Sequence, residues 1–310
     1  NILRAYHLRY VLLILCIHFV YNVPTFAREI EPGQSPGFKH DIRFDHFSED
    51  HDVSRIWIRG GILQDPHGFL WIATNGGLYR YDGYGFTHYH PDKGNLSDDS
   101  LRGMDVDGNG MIWLATKTGM NRFDPSTGAS THYHHNPDDP TTLSDDDVRE
   151  ILVDSSGFVW AGTRSGGLNK FDSGAEIFTH YRHDPENPTS LANDRVGTLY
   201  QDSHGVLWVG SHKGLQRFDP ASETFIRYPG IGNVTISALY EDANGQLWVG
   251  TSGDGLKQLD PDTGTVTHYR HNPDDSTTIG DNTVQVIAPV WGEPDKLWLG
   301  TDAGGLNQLD

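Results

Sequence analysis

Six tryptophans of this 310-residue chain stand in one sequence frame: Trp71, Trp113, Trp160, Trp208, Trp248 and Trp298, separated by 42, 47, 48, 40 and 50 residues. The text around them recurs as "DPHGFLWIATNGGLYRYD", "DGNGMIWLATKTGMNRFD", "DSSGFVWAGTRSGGLNKFD", "DSHGVLWVGSHKGLQRFD", "DANGQLWVGTSGDGLKQLD" and "KLWLGTDAGGLNQLD". A unit repeated at this period cannot bury its own hydrophobic face and must stack on its neighbours. Turn signals cut each unit into four short strands. In the third unit the strands fall at 148–153, 158–163, 168–171 and 177–182, with a hairpin at Asp154–Gly157. In the turns "DPSTG" and "DPDTG", Pro presets φ and Gly supplies a positive φ. Four antiparallel strands per ~45 residues predict an all-β chain, a β-propeller with no helix in its repeats. Five blades are complete and a sixth has strands at 283–290, 296–301 and 306–310. The tryptophan, two residues before a small residue such as Gly162, packs between blades.

The longest polar stretch, "THYHHNPDDPTTLSDDDV" at 131–148, looks at first like a site. It recurs at 179–196 and 267–284, and in shorter form at 87–101, so it reads as a blade connector. Pro137, Pro185 and Pro273 extend the chain there, and the Asp, Asn, Ser and Thr side chains serve local backbone groups. His132 and His134 would share a strand face, whereas His180 and His183, or His268 and His271, stand three apart. That variation gives no constant ligand spacing, and neither a metal nor a cofactor is expected.

Charge excludes one class of partner. With 23 basic and 42 acidic residues the net charge is −19, a surface that repels phosphate backbones and makes nucleic acid an improbable partner. At the N-terminus, Arg4, His7 and Arg9 precede an apolar run from Tyr10 to Val20, followed by the small-residue site Thr25-Phe26-Ala27. Residues 1–27 are therefore expected to be a secretory signal peptide, 28–41 a linker and 42–310 the propeller. The run is shorter than the ~20 residues of a spanning helix. Cys16, the only cysteine, falls inside it, so the exported chain would carry no thiol.

The pattern D-x-x-G-x-x-W-x-[AG]-[TS] followed by G-[LM]-x-x-[FYL]-D resembles the repeat of the two-component regulator propeller family. "HYRHDPENPTSLANDRV" and the opening "IRFDHFSEDHD" carry the likeness over essentially all of 42–310. The resemblance implies the periplasmic sensor region of a membrane-bound histidine kinase, with a diguanylate cyclase output as the alternative. It also implies seven blades, a membrane anchor and dimerisation through parts beyond residue 310. Residues 42–47 would then be a fourth strand closing the last of seven blades, with completion of blade 6 or an open ring as the alternatives within this chain. No catalytic constellation is legible. The hairpin differs from the sialidase Asp-box, in which Asp and Gly are one residue closer, and a propeller lyase or hydrolase acting on polysaccharide rests on fold analogy alone.

Comparison among the repeats isolates positions that vary within a fixed frame. The turns between second and third strands carry Asn75, Lys117, Arg164, His212 with Lys213, Asp254 and Asp302. Loops on a rigid scaffold are where propellers bind, and these turns are expected at one end, around the channel. A second register holds Arg59, Arg102 and Arg149, with Gly197, Ser237 and Gln285 in later blades, as a basic arc at the channel mouth. Both sets predict a small polar or anionic ligand, such as an oligosaccharide bearing acidic groups.

Overall fold

The computed structural model describes residues 57–310 apart from residue 66. The signal peptide, the linker and the strand at 42–47 lie outside the described residues. Five antiparallel sheets have four strands and the sixth has three, each sheet following chain order. Blades 1 to 6 occupy 58–89, 103–133, 148–181, 196–227, 236–269 and 284–309. The strands of blade 3 are Val148–Val153, Val159–Thr163, Leu168–Asp172 and Ile177–Tyr181, each within a residue of its sequence-based bounds. Blade 6 consists of Val284–Val290, Glu293–Thr301 and Leu306–Leu309. The helix-free expectation needs one correction. Short 3-10 turns at Pro91–Lys93 and Pro229–Ile231 shape the two connectors that lack the long polar text, each with Pro in the first turn.

The repeated residues make the same bonds in blades 1 to 5. Asp154 Oδ1 accepts the N–H groups of Ser156 and Phe158 at 2.9 and 3.0 Å, while Oδ2 accepts the indole N–H of Trp160 at 2.7 Å. Asp65, Asp107, Asp202 and Asp242 hold Trp71, Trp113, Trp208 and Trp248 in the same way at 2.8–3.0 Å. Gly157 closes this hairpin at φ 86°, where a side chain would be strained. The indole thus satisfies its polar atom at its own hairpin and presents its rings to the next blade. Ring centroids lie 5.5 Å apart for Trp71 and Phe123, 5.5 Å for Trp113 and Phe171, and 5.1 Å for Trp160 and Phe218. The small residue beyond each tryptophan permits that approach: a Cβ on Gly162 would come within 2.7 Å of Val196 on blade 4. Trp298 on blade 6, without an Asp-type hairpin, is only half-buried.

The connectors bond to themselves. The ring N–H at Nδ1 of His135 donates to the Leu143 carbonyl at 2.6 Å, and its backbone N–H donates to Asp146. His183 and His271 repeat both bonds with Leu191 and Asp194, and with Ile279 and Asn282. By this register the recurring histidines are His132/His135, His180/His183 and His268/His271, three apart in every copy. That corrects the variable spacing read from the sequence and gives these side chains a structural role in shaping the connector.

Candidate functional site

The first strands of successive blades pack side by side around the channel. Near its start the first strand of blades 1, 3, 4, 5 and 6 leaves the regular ladder. In blade 3, Glu150 pairs with Gly162 and Val148 with Thr163, so Arg149 is skipped. Gly197, Ser237 and Gln285 are skipped at the same point in blades 4, 5 and 6. Such a bulge re-aims side chains. It turns the register of Arg59, Arg102 and Arg149 into one cavity of about 370 Å³, where Gly197, Ser237 and Gln285 complete the circle.

The turns approach the same mouth. The backbone N–H groups of Arg164 and His212 donate to the carbonyls of Asp147 and Arg195, at 2.9 and 3.1 Å, immediately before the buried first residue of each inner strand. Asn75, Ser252 and Asp302 make the equivalent bond to Trp57, Thr235 and Thr283. His212 also lines the cavity.

One carboxylate organises blades 2 and 3 here. Asp147 Oδ1 receives Arg102 Nη1 across the blade boundary and lies 2.9 Å from Arg149 Nε. Its Oδ2 accepts Arg149 Nη2 at 3.1 Å and stands 3.5 Å from Arg164 Nη1. Three guanidinium groups therefore share one negative charge. Arg195 faces the same space from blade 4: burial, then the nearby Arg149 and Arg164, lower its proton affinity. Burial and the adjacent Arg195 and Arg149 also hold the His212 imidazole below its ordinary value, which favours its neutral form. Glu150 lines the cavity too, and loss of hydration pushes its carboxyl up to about 8, with Asp105 adding to the rise. It therefore carries a proton at neutral pH.

The expected site residues divide on this map. Arg59, Arg102, Arg149 and His212 share the cavity, and Arg164 joins through Asp147. Lys213 instead lines a separate groove with His183, Arg227 and Tyr228. Asn75 accepts the Trp57 N–H at 2.7 Å through its side-chain oxygen. Asp254 is paired with Arg270 and with the buried Lys257, whose Nζ lies 2.6 Å away and also donates to the Ile231 carbonyl. Lys117 and Asp302 are exposed at the rim. Asp147, Glu150 and Arg195 were not singled out by sequence. Arg195 was accessible to register reasoning, since it precedes buried Val196 where Arg149 follows buried Val148, and positions flanking one residue share a strand face. Glu150 reaches the cavity through the bulge, which has no clear sequence mark.

This construction defines a β-propeller with a basic channel mouth on an acidic chain. The two component regulator propeller family matches two segments of the chain, residues 190–213 and 230–253. No curated protein matches the chain. Among solved structures it is similar to the extracellular domain of a B. thetaiotaomicron protein described as a one component system, at 20% identity and a TM-score of 0.60, covering 82% of this chain and 38% of that one. PorZ, a type-IX secretion system surface component of Porphyromonas gingivalis, is similar at 18% identity and a TM-score of 0.62, covering 80% and 38%. Virginiamycin B lyase from Staphylococcus aureus shares the fold at 16% identity and a TM-score of 0.57, covering 81% and 83%. The chain thus spans well under half the length of the first two. Among the described residues no helix is long and apolar enough to cross a membrane.

Proposed function

We propose that this chain is the ligand-sensing propeller of an extracytoplasmic, membrane-bound sensor whose output is a histidine kinase, and that it binds a polar or anionic small ligand, such as a saccharide, without transforming it. The observation that carries this reading is the basic cavity at the end where the variable turns meet the inner strands. The opposite hairpins engage their aspartates in fold-forming bonds. The family of the repeats supplies the signalling context. An extracytoplasmic position follows from that context and from the N-terminal sequence.

A second reading, a propeller lyase, is favoured by the coverage of 83% of the virginiamycin B lyase chain. Calorimetric titration of the full protein with neutral and acidic oligosaccharides, followed by product analysis of the same samples, separates the two. Saturable binding with unchanged ligand is the expected result. Accumulation of cleaved or unsaturated product would sink the sensing role. The gene beyond codon 310 should encode a transmembrane helix followed by kinase motifs, whereas cyclase motifs there would replace the kinase output.

A further inference from the structure

We propose that the blade 3 and blade 4 side of the channel mouth is a site for a compact oxyanion with two or more negative charges, and that the Asp147 carboxylate is the internal stand-in for one of its anionic groups. This rests on the mouth being the sensing end and names the chemistry it senses.

Charge is the first ground. Arg102, Arg149 and Arg164 converge on Asp147, and Arg195 adds a further guanidinium to the same space. One carboxylate leaves this group in cationic excess, although the chain as a whole carries −19. Like charges gathered this closely in a partly desolvated site repel one another, so a second anion relieves what Asp147 leaves. A singly charged ligand that displaced Asp147 would only restore the present balance.

Geometry is the second. Asp147 receives guanidinium N–H groups on both oxygens, Oδ1 from Arg102 and Oδ2 from Arg149. Arg149 faces both oxygens, its Nε 2.9 Å from Oδ1 and its Nη2 3.1 Å from Oδ2, the fork geometry by which arginine recognises carboxylate, sulfate and phosphate. The Nε–H of Arg102 is buried without an acceptor among the described residues. Asp147 immediately precedes the inner strand Val148–Val153, and its carbonyl accepts the Arg164 N–H of the turn, so the carboxylate sits where turn and strand meet.

Glu150 is the third. A carboxyl beside this cluster would cancel one cation if ionised, but its removal from water keeps it protonated at neutral pH, so it presents an O–H donor. Across the channel Ser237 and Gln285 supply uncharged polar groups, and the Ser237 hydroxyl already donates to the Val284 carbonyl. The mouth is therefore lopsided: cationic on blades 1 to 4, neutral on blades 5 and 6. The oxyanion's source is a free inorganic ion or an anionic group on a hydroxylated molecule whose remainder lies toward blades 5 and 6.

Titration of the full chain at low ionic strength with inorganic phosphate, glucose 6-phosphate and glucose tests the site. Phosphate and glucose 6-phosphate should bind and glucose should not. Asp147→Asn should tighten phosphate binding about tenfold, and Arg195→Gln should weaken it about tenfold. Arg195 is exposed, so its variant reports binding even if Asp147→Asn folds poorly. Tighter binding of glucose 6-phosphate than of phosphate assigns the organic source, and equal binding the free ion; either supports the site. Glucose binding as tightly as its phosphate, no binding of either phosphate, or unchanged affinity in Arg195→Gln overturns the proposal. Tighter binding in Asp147→Asn supports displacement, whereas weaker binding would show that Asp147 positions the arginines and overturn the stand-in role. Binding of a neutral saccharide at the mouth with phosphate inert removes the oxyanion and leaves sensing intact; only turnover of a bound ligand removes sensing.

Discussion

The two ends of the propeller are built from the same repeat, yet their carboxylates do different work. At the hairpin end each aspartate has its own tryptophan and its own two backbone donors, as Asp154 has Trp160, Ser156 and Phe158. At the mouth a single carboxylate, Asp147, is shared by Arg102, Arg149 and Arg164, which come from two blades and a turn. The first arrangement is saturated and recurs in blades 1 to 5. The second is oversubscribed by three arginines, beyond the pairing of Asp254 with Arg270 and Lys257 in blade 5. Recurrence in this chain marks bonds that every blade needs, and departure from recurrence marks side chains with capacity left over.

If that division is right, the largest loss of stability should come from the saturated end. Trp160→Ala removes an indole packed on Phe218 of the next blade and should cost ~3–5 kcal/mol, read by denaturant unfolding. Asp154→Ala should cost less, about 1–3 kcal/mol, by leaving the indole N–H and two backbone N–H groups without their acceptor. A loss in Asp154→Ala as large as that in Trp160→Ala would mean that the hairpin bonds, more than the interblade packing, hold the blades together.

The mouth should instead be visible through pH. Glu150 ionises near 8 in the folded protein against 4.5 ordinarily, so the folded state keeps a proton that the unfolded chain releases across that interval. Stability is then greatest below about pH 4.5 from this group, falls as pH rises toward 8, and levels off above. Glu150→Gln should flatten most of this slope in melts between pH 5 and 8. A smaller slope of the same sign should remain, because burial also raises the neighbouring Asp105 carboxyl. An unchanged slope in Glu150→Gln would place the titration elsewhere.

The architecture was legible because its determinants are local and repeated: a tryptophan frame, Asp and Gly at hairpins, and apolar alternation give the strand ends of blade 3 within a residue, while the second strand of blade 6, which has no Asp-Gly hairpin, begins three residues before its expected start. The site was legible in part. Arg59, Arg102 and Arg149 fell into one register, and the structure puts them in one cavity. What sequence could not show was pairing at a distance. Asp254 stands in a variable turn like Arg164, but Arg270 on the following connector and Lys257 three residues on take up its charge. Lys213 sits beside His212 in sequence, and the turn sends it to another groove. Glu150 became a mouth residue through a bulge, which shifts the two-residue period for one step. Hydrogen bonding across blades, with separations near fifty residues, is set by how neighbouring blades stack and leaves no mark at either position.

The smallest expected change in stability makes the sharpest test of the comparison. Arg164 is 58% exposed, and its guanidinium stands 3.5 Å from an aspartate that has two closer arginine partners. Its replacement by Ala should therefore alter unfolding free energy by no more than ~0.5 kcal/mol. Its backbone N–H continues to bond the Asp147 carbonyl, so the turn stays in place. A ligand bound at the mouth should lose ~1–3 kcal/mol of affinity if Arg164 donates to it. Asp154→Ala should show the reverse, with stability reduced and affinity unchanged, because the hairpin end lies across the sheet from the cavity. Thermal melts and titrations on both variants give a crossed pattern if the ends are independent. Were Arg164→Ala to unfold early, or Asp154→Ala to lose ligand, fold and candidate site would share residues, and the division between a saturated hairpin end and an oversubscribed mouth would have to be abandoned.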